Sequence, residues 1–467
     1  MPFSYHPPTR EYCHVCEELI KGETKAPIID TYNGKASSAV NFPIHNWFYF
    51  VLGYSPEFPN YILDKYLVTK NSLVVDPFMG TGTTLVACKL RGIPSGGVDA
   101  NIFFADVAKV KLQWNIDINN LKKIRLDILN KIPEIYAAYD FAEDVTEAKT
   151  QGLQLSLFEN HEKYLSSVHE YDVQHRMNML DRRYISEKPF VRWHLIKELI
   201  DLSVPQGNEK NILNLALASI LVPSSNVRYG PGFGVIKPKD DIDVYNLFRN
   251  KLDQMISDLE LINDNQKDTI SNVYNADSRY LSNYFESNSI DMMITSPPYP
   301  GDHEYTKHTR LELIALGYAQ DIQEFRKIKK KMLRGSTTNI YKEDNDQECV
   351  KHIPSIIKIT SLVDERLKAD GATSGFEKLY VKLIWEYFGG MSRVFQNALT
   401  VLKPGGTFHL LVSDSHAFKM VHIQTAQILA EIGLDVGFKD ASIDLWQDKM
   451  STSHKYHLME NILTLTK

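Results

Sequence analysis

The stretch that decides the fold runs from Ser72 to Thr84 and reads SLVVDPFMGTGTT. Its apolar residues 73–75 have the composition of a buried strand, and the strand ends at the acid Asp76. The two glycines that follow permit a tight turn and a close approach of the backbone to a ligand. Residues 85–91 then have helix composition, and Gly92 marks the predicted end. The stretch therefore predicts a strand, a glycine loop and a helix whose N-terminal amides favour a polar or anionic ligand group.

A second unit of the same kind follows directly. Residues 96–98 form a short predicted strand that ends at Asp99, and residues 102–112 form an amphipathic helix. This order of strand and helix predicts a parallel sheet with crossover helices. In dinucleotide-type folds an acid about 20 residues beyond the glycine loop hydrogen-bonds ribose hydroxyls, which makes Asp99 a candidate. The loop is neither G-x-G-x-x-G nor G-x-x-x-x-G-K-[ST], so NAD and nucleotide-triphosphate phosphates are disfavoured.

The second chemical motif is Thr295-Ser-Pro-Pro-Tyr299, at the end of a predicted strand over 290–295. Two prolines cannot extend a strand ladder, so they fix the backbone and leave carbonyl oxygens free to accept hydrogen bonds. Ser296 adds a side-chain acceptor, and Tyr299 adds a flat aromatic surface. The set suits a planar amine whose hydrogens are accepted while its ring stacks on the tyrosine. Ligands bind at strand carboxyl ends in open α/β sheets, so both motifs are expected at one edge.

Together the two motifs resemble those of the S-adenosylmethionine-dependent DNA amino-methyltransferases, which methylate N4 of cytosine or N6 of adenine. The resemblance implies S-adenosyl-L-methionine as cofactor and Ser296, Pro297, Pro298 and Tyr299 as catalytic residues. The cofactor-binding residues that it implies are Phe58, Pro59, Asp76, Pro77, Phe78, Gly80, Gly82, Thr83, Thr84, Asp99 and Asp277.

The resemblance also implies a mechanism. The target base lies inside the duplex and has to be flipped out, after which Tyr299 stacks on it while Ser296 and the Pro297 carbonyl accept from its amine. No metal and no catalytic cysteine are needed. Serine at position 296 resembles the cytosine-N4 branch, and adenine N6 remains the alternative. An RNA N-methyltransferase and a catalytically silent DNA-binding subunit are further alternatives.

These observations predict an α/β protein with a Rossmann-like methyltransferase sheet, helices on both faces and two insertions. The core comprises residues 1–112, 271–300 and 379–467. The mainly helical insertion 113–270 and the second insertion 301–378 are candidates for DNA recognition. The last part of the chain is expected to contain these elements: a helix over 379–402, a turn over 403–406, a strand over 407–412, a helix over 416–432, and strands over 434–438 and 460–465.

Composition limits the partners of the chain. Its 467 residues are 43% hydrophobic and carry a formal net charge of −6, which excludes a globally basic coat protein. Binding of double-stranded DNA by this acidic chain therefore requires a locally basic surface. A run of basic residues is, however, equally often a solvated helix face. The candidate DNA-binding residues are Arg326, Lys327, Lys329, Lys330, Lys331 and Arg334. Arg228 and Lys237 belong to another candidate region of the chain.

The cysteines and the N-terminus indicate the compartment. Four cysteines do not make a disulfide framework, and Cys13 and Cys16 form a lone C-x-x-C that is weak evidence for a metal. No signal peptide or membrane span is apparent. We therefore expect a cytoplasmic prokaryotic protein acting on DNA, in a restriction-modification or host-modification role. That role allows a cognate restriction endonuclease as a separate chain.

Overall fold

The computed structural model describes residues 5–6, 42–149, 175–180, 183–229, 233–301, 304–371, 374–450 and 457–467. The strands are β1 (Tyr5–His6), β2 (Val74–Asp76), β3 (Ser95–Asp99), β4 (Val227–Tyr229), β5 (Phe233–Val235), β6 (Ser271–Asn275), β7 (Ile290–Thr295), β8 (Leu402–Ser413), β9 (Asp440–Met450) and β10 (His457–Thr466).

The helices alternate with the strands of the core and form most of the first insertion. They are α1 (Glu57–Lys65), α2 (Thr83–Leu90), α3 (Ile102–Lys111), α4 (Ile118–Lys149), α5 (Glu187–Ser203), α6 (Asn208–Ser219), α7 (Val244–Glu260), α8 (Asp264–Lys267), α9 (Tyr305–His308), α10 (Arg310–Ala315), α11 (Ile322–Lys330), α12 (Pro354–Ala369), α13 (Tyr380–Val401) and α14 (Thr425–Val436). None of these helices combines the length and the apolarity that crossing a bilayer would require.

Seven strands form the core sheet in the order β6-β3-β2-β7-β8-β10-β9, and the two-residue β1 pairs with β9 at the edge. The five strands from β6 to β8 are mutually parallel. Strand β10 runs antiparallel to both of its neighbours. The predicted Rossmann-like α/β class is confirmed, with the parallel centre that its crossover helices require.

Side chains of the central strands alternate between two helical layers, as the period of two in a strand requires. Val74, Met292 and Ile294 pack in a cluster with α1 and α2. Their neighbours Val75 and Met293 pack instead with α13 and α14. Both faces of the sheet are therefore covered by helices, which is why the central strands are apolar on both sides.

The strand order reverses direction between β2 and β7. The chain passes from β2 outward to β3 on one side, and from β7 outward to β8 on the other. The two strands are parallel neighbours, with Val74 opposite Met292 and Val75 opposite Met293. Their carboxyl ends, at Asp76 and Thr295, therefore meet at the topological switch point, where open α/β sheets bind ligands.

The first insertion is mainly helical, as expected, and it shares one apolar core with the segment 42–50 and with α3. Trp47, Phe103 and Phe248 belong to that core. Polar groups fix the same contact. The buried ammonium of Lys111 donates to the carbonyls of His45 and Phe48. Because these contacts join three parts of the chain, the insertion packs against the half of the sheet that contains β2 and β3.

Three local predictions for the last part of the chain were wrong. Residues 434–438 are not a strand, because α14 continues to Val436 and ends at Gly437, whose φ of +118° terminates a helix. The helix predicted from 416 begins only at Thr425, since residues 418–420 all have positive φ. The turn predicted over 403–406 lies inside β8 as a bulge, with Ile290 opposite Leu402 and Met292 opposite Thr407.

The glycine loop provides a test of the packing of α2 on α3. Gly82 and Gly92 both have left-handed φ values, +86° and +68°. A Cβ on Gly82 would lie 3.0 Å from the Cβ of Ala108, whereas nothing lies within 4 Å of the same position on Gly92. Alanine at either site costs about 1–2 kcal/mol of backbone strain. We expect Gly82→Ala to lower the free energy of unfolding in urea more than Gly92→Ala, and equal losses would contradict the close contact.

Candidate active site

A cleft opens at the carboxyl ends of β2, β3, β6 and β7, and it brings the two sequence motifs together. Gly80 and Thr83 of the glycine loop line it, as do Ser296 and Pro298 of the proline turn. The cleft encloses about 1000 Å³, part of which is continuous with solvent. The cleft therefore lies where the switch point predicts a ligand.

Asp99 lies at the floor of this cleft and is held by backbone donors. Its carboxylate accepts from the Gly80 amide at 2.9 Å and from the Asn101 amide at 2.8 Å. Burial raises the pKa of Asp99 to about 7, although both hydrogen bonds oppose the shift. A carboxylate positioned in this way can accept hydrogen bonds from paired hydroxyls, and protonation as the pH falls below about 7 reduces its acceptor capacity.

Asp76 is fully buried beneath the glycine loop and does not line the cleft. Its carboxylate accepts from the Tyr54 hydroxyl at 2.6 Å, the Thr295 hydroxyl at 2.6 Å and the Phe78 amide at 3.0 Å. Burial raises the pKa of Asp76, and these hydrogen bonds oppose part of the increase. The residue therefore joins β2, β7 and the segment before α1.

The other sequence-predicted cofactor residues divide into two groups. Phe78, Gly80, Thr83, Asp99 and Asp277 line the cleft. Phe58, Pro59, Pro77, Gly82 and Thr84 are outside the lining. Phe58, for example, is completely buried in the apolar cluster below the sheet. The segment before α1 reaches the cleft through residues 50 and 52–54 instead, because α1 turns its apolar face towards the sheet.

In the proline turn, the hydroxyl hydrogen of Ser296 is donated to a backbone carbonyl of the protein. Ser296 Oγ donates to the carbonyl of Leu411 in β8 at 3.1 Å. The Tyr299 hydroxyl lies 3.3 Å from the same oxygen. A serine hydroxyl has one hydrogen and two lone pairs, so Ser296 retains acceptor capacity. Pro298 lines the cleft, while Pro297 is buried and Tyr299 packs against the apolar cluster around α13.

The second insertion forms one wall of the cleft. Lys329, Lys331, Leu333 and Asn339 are among its lining residues. Lys329 pairs with Glu304 at 2.9 Å, where both side chains are mostly buried. Two of the six cations of the predicted basic run therefore line the cleft, and the run is not a uniformly solvated helix face.

The remaining candidate DNA-binding cations differ in their exposure to solvent and in their pairing with carboxylates. Arg334 is buried, and its guanidinium forms a two-bond ion pair with Asp344 and donates to two backbone carbonyls. Lys330 pairs with Glu343 at 3.0 Å. Among the residues that the structure describes, the exposed candidate cations outside such pairs are Arg326, Lys327 and Lys331, with Arg228 in β4 and Lys237 just beyond β5.

Comparison with known proteins gives consistent matches. The family described as DNA methylase, with N6 and N4 enzymes in its name, matches residues 31–110. The Type II methyltransferase M.BsoBI of Geobacillus stearothermophilus is 22% identical, over 93% of this chain and 85% of its own length. M.AvaI of Nostoc is 24% identical, over 85% and 79%. M.MjaII of Methanocaldococcus jannaschii is 24% identical, but the chain spans only 58% of its length. No solved structure matches.

These matches support an S-adenosylmethionine-dependent DNA amino-methyltransferase. The match of the family to residues 31–110 includes both the glycine loop and Asp99. These comparisons leave open whether the methyltransferase acts on N4 or on N6.

Sequence reasoning missed several lining residues of the methyltransferase. Arg279, Asn339 and Val394 line the cleft, and none belongs to a motif identified in the sequence. Arg279 follows Asp277 by two residues, which is the one sequence signal that could have indicated it. Within the described ranges no group of His, Cys, Asp or Glu side chains could hold a metal. Cys13 and Cys16 lie outside those ranges.

Substitution of Asp76 tests whether its hydrogen bonds join the three segments around the site. Asparagine has the same shape, but it replaces one acceptor oxygen with a donor that faces other donors. We expect Asp76→Asn to lower the free energy of unfolding by about 2–3 kcal/mol in urea denaturation. Thr295→Val removes a single donor and should cost about 1 kcal/mol. Equal costs for the two variants would show that the carboxylate does not join the three segments.

Proposed function

We propose that this methyltransferase transfers a methyl group from S-adenosylmethionine to the exocyclic N4 of a flipped cytosine in duplex DNA. The observation that carries the proposal is Ser296, which lines the cleft shared with the glycine loop and whose hydroxyl donates to Leu411. A neutral serine at this place resembles the cytosine-N4 branch. Adenine N6 is the alternative product.

The residues present suit the proposed cofactor. The Gly80 amide is fixed by Asp99, and no atom lies within 4 Å of where a Gly80 Cβ would be, so the loop offers open space beside a carboxylate. Asp99 would hold the ribose hydroxyls of S-adenosylmethionine, and Phe78 and Thr83 would contact it from the loop. When bound, the cofactor supplies an electrophilic methyl group.

The chain's own contribution to the reaction is orientation. An exocyclic amine is a weak nucleophile while its lone pair is delocalised into the ring. Ser296 Oγ and the Pro297 carbonyl would accept its two hydrogens, which directs the lone pair towards the methyl donor. Ser296 is too weak a base to remove a proton beforehand, so proton loss follows transfer. Tyr299 would stack on the flipped base.

The target atom can be identified directly. We expect DNA treated with the protein and S-adenosylmethionine to contain N4-methylcytosine, measured by mass spectrometry of its nucleosides. Ser296→Ala should reduce the rate about 100-fold through misplacement of the amine, with cofactor affinity almost unchanged. Ser289→Ala, at the opposite end of β7, is the matched control and should retain full activity.

Other products would contradict parts of the proposal. N6-methyladenine in the DNA would overturn the choice of cytosine while leaving the family intact. Methylation of RNA alone would overturn the choice of substrate. An unchanged rate in Ser296→Ala would remove the assigned role of that side chain.

The proposed partner is double-stranded DNA, held by local cations on an otherwise acidic chain. The proposed phosphate contacts are Arg326 and Lys327 on α11, Lys331 at the cleft, Arg228 in β4 and Lys237 just beyond β5. The relatives named as Type II methyltransferases support a modification role. We propose that role here, with a cognate endonuclease as a separate chain.

The phosphate contacts can be counted from the salt dependence of binding. Each lost contact should lower the slope of log K against log salt by about 0.9. The double variant Arg326→Ala/Lys327→Ala is therefore expected to lower the slope by up to about 1.8 in fluorescence anisotropy with a duplex. Lys351→Ala removes an exposed lysine that is paired with Glu348, and it should leave the slope unchanged. An unaltered slope in the double variant would exclude α11 from the interface.

A further inference from the structure

Asp277, one of the predicted cofactor-binding residues, already accepts hydrogen bonds from its neighbour Arg279. Oδ1 accepts from the backbone amide and from Nε of Arg279, each at 3.0 Å. Oδ2 accepts from Nη2 of Arg279 at 2.6 Å and from Nε at 3.1 Å. A carboxylate has about four lone-pair positions. Asp277 therefore has little capacity to accept a hydrogen bond from a ligand.

Arg279 itself lines the cleft, beside Ser278, Leu333 and Val394. Its side chain is only 12% exposed, so a ligand in the cleft would meet a guanidinium that is held in place. Arginine has five N–H donors, and the contacts with Asp277 and Asp346 use three of them. The remaining donors and the planar face of the guanidinium are what this end of the cleft can offer.

A second carboxylate fixes the guanidinium from the opposite direction. Nη1 of Arg279 donates to Asp346 of the second insertion at 2.5 Å. Asp346 also pairs with Arg393 of α13, and its backbone amide donates to Glu386 at 2.9 Å. Gly389 makes this arrangement possible, because a Cβ there would lie 2.1 Å from the Asp346 carbonyl oxygen. Arg279 is therefore held rigidly between two elements.

We propose that Arg279 is a cofactor-binding residue that recognises the adenine of S-adenosylmethionine by stacking of its guanidinium plane on the ring. This inference rests on the proposed function for the identity of the cofactor. Guanidinium groups stack on aromatic rings, and a pre-positioned one loses little entropy on binding. Asp277 and Asp346 are then positioning residues, which hold the guanidinium and do not contact the base.

Binding of the unreactive analogue S-adenosylhomocysteine, measured by calorimetry on the full chain, tests the proposal without any turnover. Arg279→Lys keeps a positive charge for Asp277 but removes the planar face and the fork. We expect it to weaken binding by at least 10-fold. Arg393→Lys is the matched control, because Arg393 also pairs with Asp346 but does not line the cleft. That variant should bind within about 2-fold of the wild type.

A second ligand separates recognition by Arg279 from recognition by Asp277. S-inosylhomocysteine has a 6-oxo group in place of the 6-amino group, so it still stacks and still offers acceptors. We expect the wild type to bind it within about 3-fold of S-adenosylhomocysteine, because Asp277 is not available to the amine. A loss of 10-fold or more would assign recognition to Asp277 and overturn the proposal.

The remaining outcomes are also decisive. Unchanged affinity in Arg279→Lys would show that the guanidinium does not contact the ligand. An equal loss in Arg393→Lys would show that the effect is structural, and melting temperatures without ligand would identify misfolding in either variant. If the wild type bound neither ligand, the proposed function itself would fail, which is distinct from failure of the assignment to Arg279.

Discussion

One buried carboxylate holds the site together. Asp76 has no contact with solvent, and burial of a charge is costly unless hydrogen bonds replace the lost water. Those hydrogen bonds come from Tyr54, Phe78 and Thr295, which belong to three separate segments. Thr295 directly precedes Ser296, so the carboxylate fixes the relative position of the glycine loop and the proline turn. The cleft exists because these two loops cannot move apart without leaving Asp76 unsatisfied.

Other charged groups around the cleft are also held by hydrogen bonds or ion pairs. Asp99 is fixed by the Gly80 and Asn101 amides, and Arg279 is fixed by Asp277 and Asp346. Each of these groups is positioned before any ligand arrives. Pre-positioned polar groups reduce the entropy lost on binding, which is what a reaction based on orientation needs. The second insertion takes part through Asp346 and Lys329, so it is also part of the cofactor cleft.

Much of the sheet and of the site could be predicted from the sequence, because local patterns and topology agree. The apolar residues before Asp76, Asp99 and Ser296 predicted parallel strands, and parallel strands that share an edge place their carboxyl ends together. That rule alone brought Gly80 and Ser296 to one cleft from opposite parts of the chain. The predicted helix before β8 was also correct, because α13 has a long amphipathic pattern.

Features that depend on tertiary contacts could not be predicted in this way. Composition indicates that 326–334 is basic, but it does not show that Arg334 is buried against Asp344. The apolar Phe58 could face either the cleft or the sheet, and the amphipathicity of α1 decided for the sheet. Positive φ values over 418–420 and the Gly437 cap moved the start and end of α14. Each outcome depends on neighbours that are distant in sequence.

The strand order also has a consequence for how the chain acquires its structure. β2 ends at Asp76, whereas its partner β7 begins at Ile290, and the region between them contains β3, β6 and the helices of the first insertion. During synthesis the amino-terminal strands therefore emerge long before the strand that must lie beside them. Pairing across such a separation is slow, and one side of β2 stays uncovered in the meantime. The helices of the first insertion precede β7 in the chain and share a core with residues 42–50 and α3. They can therefore pack on the β2–β3 half of the sheet before β7 is synthesised, which limits misassociation of that half on the ribosome.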